Sequence, residues 1–495
     1  MHALSEIGIR HRRRMYARTR AVHFFVIQRG LFMSQFRFAR LALMLTALGL
    51  NATPVLMHSA SAQNEDLLAT KSTKPGPPKE VLEPTVKPSG PTPNIAPAAQ
   101  PKPDAVRPEL FKLLDPAQIK PLMDAKNYTE VQNRITQAEA VPDKSPYEVY
   151  VLNRMKLSLG TATGNDQMTM SSLEAILATG KVPDADKPRF EQALATMYYN
   201  AKNYPKAIEL YKQLQASGQA SDQVNSALIR SYYLSGDYAS ALKAQEPVLQ
   251  AAEQAGKTPT QEDLRLYASA ANKVKNDAAY LRGLEKLVAY YPNDDFWTDL
   301  ISRGIARKPG FQDANYTDVL RLEFAAVKQM APEAYSDLAE LALKDGFPTE
   351  AKKVVDAGFA AGVLGTGSGA AKDRQLRDRA TREAASDAKN IAAGEAGAAK
   401  AKTGAGLVNL GWAYVTMDQF DKGIGFIQQG IAKGGLKSPD EAKLRLGMAY
   451  AKAGQKDKAI QTFQEVKAGG GLSDTAKYWI LLLNHPSGAT ATAAK

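Results

Sequence analysis

Beyond residue 108, apolar residues recur every three or four positions, the period of helices that bury one face. The period breaks at short polar or glycine-containing turns, most clearly at Asn203 and at Gly236-Asp237. Pairs of helices joined by such turns are the predicted elements. Two neighbouring stretches superimpose: Leu194, Tyr198, Tyr204 and Ala207 match Leu228, Tyr232, Tyr238 and Ala241, each 34 residues further on. A fixed period of this length marks a repeat architecture. Tyr198 and Tyr232 supply bulk across the hairpin, and Ala207 and Ala241 let the second backbone approach. Tyr204 and Tyr238 close the turn. One hairpin cannot bury both its faces, so hairpins must stack.

The pattern returns near the C-terminus. Leu410, Gly411, Tyr414, Phe420, Gly423 and Ile427 match Leu446, Gly447, Tyr450, Lys456, Ala459 and Phe463 at an offset of 36, with the two extra residues in the Gly434-Gly435 turn. Degenerate units are expected over 261–292, from about Asp294 with a long loop at 309–316, and from Pro332. Weaker hairpins are expected at 116–140 and 147–179, and a capping helix with Trp479 at 475–483. This pattern resembles the tetratricopeptide repeat family over 109–484, most clearly at 188–255 and 404–470. The resemblance implies an all-α, right-handed superhelical solenoid of antiparallel hairpins. It also implies that ligands lie against the first helix of each hairpin. In that register Thr196, Tyr199, Asn200, Arg230, Tyr233, Asn272, Lys273 and Trp412 line the groove. Aromatic, Asn and Arg side chains there suit an extended peptide or a partner helix. The alternative, left open, is that Tyr199 and Tyr233 only pack within the array. The family's carboxylate clamp of Lys, Asn and Arg residues is not complete.

Charge changes the picture of the N-terminus. The chain has a net charge of +12, which alone would suggest nucleic acid or a membrane surface. Residues 1–62 carry nine arginines, no lysine and one acid, so eight of the twelve excess charges lie there. Met33 opens a second start: Arg37 and Arg40, an uncharged apolar run 41–57, then Ser59-Ala60-Ser61-Ala62, the pattern of a secretory signal peptide. Cleavage after Ala62, with Ala60 at −3, is expected. An uncleaved inner-membrane anchor facing the periplasm is the alternative. Ten prolines in 63–107 make that stretch an extended linker that cannot bury a core. The expected organisation is leader 1–62, linker 63–107, repeat array 108–365, an Ala-rich charged helix with a glycine-rich loop at 366–402, a C-terminal hairpin pair with its cap at 403–484, and a tail 485–495.

Little chemistry survives this reading. Cysteine is absent, and His485 is the one histidine after residue 62. Thiolate or imidazole metal sites and a Ser-His-Asp triad are therefore excluded from the repeats. Gly256-Lys257-Thr258 imitates the end of a phosphate loop but lacks the preceding strand, and residues 251–258 are read as a loop between hairpins. The arginines at 374, 377, 379 and 382 alternate with Asp373, Asp378 and Glu383, a solvated face rather than a nucleic-acid site. No cofactor, small-molecule substrate or catalysis is expected. The expected function is a periplasmic protein-interaction scaffold with another protein as partner. Its leader, linker, repeats and the segment 287–297 are similar to repeat proteins accompanying TonB-type systems of Gram-negative bacteria. The alternatives are a glycan-binding cell-wall module and a membrane-anchored assembly factor.

Overall fold

The computed structural model describes residues 104–486. The leader, with Ala60 and Ala62, the proline-rich linker up to residue 103 and the tail from 487 lie outside the described residues. Those described are all-α, with helices and turns and no strand. They fall into two compact units, 104–228 and 229–486. The division lies inside the array expected over 108–365.

The N-terminal unit holds α1 (Pro108–Leu114), α2 (Pro116–Asp124), α3 (Tyr128–Ala140), α4 (Pro146–Thr163), α5 (Asp166–Ala178), α6 (Lys187–Asn200) and α7 (Tyr204–Ala216). Helix α8 (Asp222–Ser235) runs across the division. The C-terminal unit continues with α9 (Tyr238–Gln254), α10 (Gln261–Lys273), α11 (Asp277–Tyr290) and α12 (Asp294–Ile301), which ends in a π turn, Ser302–Ala306. Then come α13 (Tyr316–Ala326), α14 (Pro332–Lys344), α15 (Pro348–Ala360), α16 (Ala370–Asn390) and α17 (Glu395–Lys400). The last are α18 (Ala405–Thr416), α19 (Phe420–Lys433), α20 (Pro439–Lys452), α21 (Lys456–Gln464) and the cap α22 (Leu472–Asn484). Helix α9 is longer than expected: Ala251 to Gln254 are helical, so the inter-hairpin loop starts at Ala255.

One device turns the chain in eight hairpins. Lys126, Gly164, Lys202, Gly236, Lys275, Gly346, Asp418 and Gly454 each take a left-handed conformation, with φ between 57° and 89°. A left-handed residue ends the first helix and frees the next residue to start the second. In five of them that next residue is Asn127, Asn165, Asn203, Asp237 or Asn276, whose side chain accepts the N–H three residues on. This is why Asn203 and Gly236-Asp237 break the apolar period.

Within hairpins, small residues set the spacing. Ala207, Ala241 and Ala459 are fully buried. Helices α18 and α19 come closer still: a Cβ on Gly411 would lie 2.5 Å from the Gly423 carbonyl oxygen; between α20 and α21, one on Gly447 would lie 2.5 Å from the Phe463 ring. Leu194, Tyr198, Leu228, Tyr414 and Tyr450 are buried, and Tyr204, Tyr232 and Tyr238 are half-buried.

The C-terminal unit closes on itself. Helix α22 packs on α20 and α21 and also on α11, α13 and the π turn. Lys477 Nζ reaches Glu285 at 2.6 Å, Lys308 Nζ reaches Asp474 at 2.7 Å, and the Gln312 N–H and Asn315 Nδ2 both donate to the Gly470 carbonyl. Helix α13 is buried on nearly every side, from Tyr316 through Glu323 and at Ala326. A helix apolar or buried all round belongs to a core. Here it occupies the interior that the returning hairpins enclose.

Candidate functional site

The first helix of each hairpin presents two comparable positions, two residues before and one after the hairpin's tyrosine. In the N-terminal unit these are Thr196 and Tyr199. Thr196 Oγ1 donates to the Gln192 carbonyl at 2.8 Å and lies 3.5 Å from Tyr211 Oη, so its hydroxyl is engaged inside its own hairpin. Burial pushes the Tyr211 phenol up to about 12, with Thr196 partly offsetting this. Tyr199 meets Tyr204 edge-on at 5.8 Å and is half-buried, while Asn200 is exposed.

In the C-terminal unit, the same positions on α8 are Arg230 and Tyr233, and they bond forward to α10. Arg230 pairs with Glu262 at 3.0 Å. Tyr233 Oη and Ser269 Oγ lie 2.7 Å apart, and the Tyr233 ring meets Tyr238 edge-on at 5.2 Å. Burial raises the Tyr233 phenol, with Ser269 partly offsetting this. Lys273 is exposed and sits 5.7 Å over the Tyr238 ring. Asn272 Oδ1 accepts from Arg303 Nη1 at 3.0 Å. Four of the expected residues thus form one polar and aromatic strip along α8 and α10, continued to the π turn by Arg303. Glu262, Ser269 and Arg303 were not legible as its members. Ser269 and Glu262 lie three and ten residues before Asn272 on α10, so helical periodicity could have found them. Arg303 belongs to a turn that no period marks.

Trp412 departs from the expectation. It is fully buried, and its indole N–H donates to Glu350 Oε2 at 3.2 Å. The Arg321 guanidinium stands 4.9 Å over its ring. Arg321 is itself buried and bonds Glu350 through Nε at 2.9 Å and Nη2 at 2.7 Å, with Nη1 on Asp318 at 2.6 Å. Burial works against the charge of Arg321, and Glu350 and Asp318 more than offset it, raising its pKa. Val415 and Met448, which hold the comparable positions nearby, are also buried. The reason is α13: it brings Asp318 and Arg321 into the interior that an open groove would leave to solvent. The inner face of the C-terminal hairpins is core.

Gly256-Lys257-Thr258 is exposed between α9 and α10, with no strand before it. Among the described residues, no three His, Cys, Asp or Glu side chains are grouped to hold a metal ion, and no helix is long and apolar enough to cross a membrane.

The tetratricopeptide repeat family model matches residues 441–468, the α20–α21 hairpin. No curated protein matches the sequence. Among solved structures, the TPR2AB domain in its pHSP90 complex, from yeast Sti1, is similar at 12% identity over 63% of this chain and 100% of that one, with a TM-score of 0.20. The TPR domain of P58(IPK) is similar at 12% identity over 78% and 99%, with a TM-score of 0.19. A Rap protein complexed with competence and sporulation factor is similar at 11% identity over 78% and 99%, with a TM-score of 0.21. The chain therefore resembles the tetratricopeptide repeat family, by sequence over residues 441–468 and by hairpin geometry beyond them.

Proposed function

We propose that the protein is a non-catalytic interaction scaffold that holds an extended peptide or a helix of another protein on the first helices of its hairpins. The observation that supports this is the contrast within one register. Lys273 is exposed and Arg230, Tyr233 and Asn272 are half-buried, polar or aromatic and bonded to or stacked on neighbours. Trp412, Val415 and Met448 are apolar and sealed. Side chains already fixed by Glu262, Ser269 and Tyr238 lose little rotamer freedom on binding, which favours recognition. The register extends the reading to Thr196, Tyr199 and Asn200 in the N-terminal unit.

The leader pattern supports export to a Gram-negative periplasm, and the wider resemblance supports a place beside a TonB-type system. A glycan-binding reading is weaker, because the buried Trp412 cannot stack on a sugar.

Pull-down from envelope extract, with and without cross-linking, is the test. The chain should recover a protein partner, and Tyr199→Ala with Tyr233→Ala should lose it at unchanged helicity. Retention on peptidoglycan with no protein partner would sink the reading, and collapse of helicity would show the tyrosines to be packing residues. Sequencing the mature N-terminus tests export: a start at Gln63 supports it, and an intact Met1 or Met33 removes the cleavage. Co-purification with TonB-type components tests the pathway.

A further inference from the structure

Asn272, at the end of the surface strip, is joined to the closing helix α22 by a short chain of contacts through the π turn. Arg303 is its centre. Its Nη1 donates to Asn272 Oδ1 at 3.0 Å, its Nε lies 3.3 Å from Asp299 Oδ1, and its guanidinium stacks 4.5 Å over the Tyr280 ring. Tyr280 in turn donates its phenol to Asp299 Oδ2. The next residue, Gly304, lies directly against α22: a Cβ there would sit 2.2 Å from Tyr478 Oη. Tyr478 Oη and Lys477 Nζ both reach Glu285 of α11. The groove-side contact and the contact with α22 thus come from consecutive residues of one π turn.

A π turn holds one residue more than an α turn and is a rare, single-turn insertion in helices that recurs at functional sites. Relaxing it to α geometry would shift Arg303 and Gly304 together by one register. The connection 307–315 before α13 would carry that shift on to α22, because Lys308 bonds Asp474 and Gln312 and Asn315 both bond the Gly470 carbonyl. A packed element with two discrete arrangements is what carries coupling between sites.

We propose that the π turn Ser302–Ala306 couples the strip to the closure of the C-terminal unit, so that a partner competing for Asn272 loosens α22. Arg303 is then a positioning residue rather than a contact of the partner's own. The link's use in binding rests on the proposed strip, whereas its existence does not.

Hydrogen exchange of the full chain, read by mass spectrometry, tests the link without any partner. Asn272→Ala removes the acceptor of a charge-assisted bond, and exchange over 472–484 should rise about tenfold. Exchange over 420–433, in α19, should stay as in the wild type. Linkage is reciprocal, so Tyr478→Leu should raise exchange over 261–273. If circular dichroism shows that this variant fails to fold, Lys477→Ala loosens α22 more gently and takes its place. Unchanged protection of 472–484 in Asn272→Ala overturns the proposal. So does a rise of equal size over 420–433, because that is general destabilisation.

Discussion

Replacing Glu350 by Ala should destabilise the C-terminal unit by about 3–5 kcal/mol, the cost of breaking a buried ion pair from one side. The size follows from what Arg321 would keep. It is 5% exposed and makes two bonds to Glu350 and one to Asp318. Without Glu350 the guanidinium retains Asp318 and the Trp412 face, and two of its donors face a dry interior. All three tryptophans, Trp297, Trp412 and Trp479, lie in this unit and are buried, so their emission during urea unfolding reports it alone. With a slope of about 3 kcal/mol per molar urea, the midpoint should fall by roughly 1 M or more. The paired change Arg321→Met with Glu350→Leu should cost far less, because apolar packing replaces a desolvated pair at little loss. A pH series adds a sign. Burial pushes the Glu350 carboxyl up, and Arg321 outweighs this and holds it below the ordinary carboxylate range. A depressed folded pKa contributes stability that is full above the unfolded value of about 4.3 and lost as pH falls through the folded one. The wild type should therefore lose midpoint below about pH 4, and the apolar pair should not lose that part. A loss under about 1 kcal/mol in Glu350→Ala, or an acid response shared by the apolar pair, would refute the account of Arg321 as the lock on α13.

Other outcomes follow from the same geometry. Lys202→Gly and Lys275→Gly relieve left-handed residues with φ of 60° and 58°, and each should raise stability by about 1 kcal/mol, read as a urea midpoint. Gly411→Ala should cost roughly 1–3 kcal/mol by forcing α18 off α19. In the N-terminal unit, burial alone would push Glu148 up, but its bonds from Arg107 and from the Ser145 N–H hold it down at about 2. Stability from Glu148 is present above about pH 4.3 and should be lost between there and about pH 2, seen as faster hydrogen exchange over 104–163. Arg107→Ala should remove most of that acid response.

The hairpins were legible because stacking imposes a period that survives poor sequence conservation between units. Tyrosine, alanine and a turn residue recur where bulk, close approach and a left-handed φ are needed, at Tyr198, Ala207 and Lys202 as at Tyr450, Ala459 and Gly454. The register brought Arg230, Tyr233, Asn272 and Lys273 together because α8 meets α10 in order. The burial of Trp412 was not legible, since its surroundings are fixed by α13, and nothing within its own hairpin encodes what comes back across it. The register shows which way a side chain points, not whether that direction is filled. The charges of α13 were a second obstacle. Asp318, Arg321 and Glu323 give an 11-residue helix the look of a surface element, although each is buried, and for Asp318 and Arg321 pairing is what makes that burial tolerable.

The division between open strip and sealed interior also bears on how a repeat array limits its own binding. A stack that stays open offers each first helix to a partner, and affinity can be spread over many hairpins. A stack that closes gives up that surface and gains a core. Here the exchange is visible residue by residue. At the position two before the tyrosine, Arg230 reaches Glu262 at the surface, whereas Trp412 carries Arg321 and Glu350. Four large apolar residues of α13 (Val319, Leu320, Leu322 and Tyr316) are nearly or wholly buried, and at about 1.5–3 kcal/mol each they hold α13 too firmly for a partner to displace it. Under the proposed scaffold role, the strip on α8 and α10 is the surface this unit keeps for a partner. The π turn that Arg303 anchors is where that strip meets the closure.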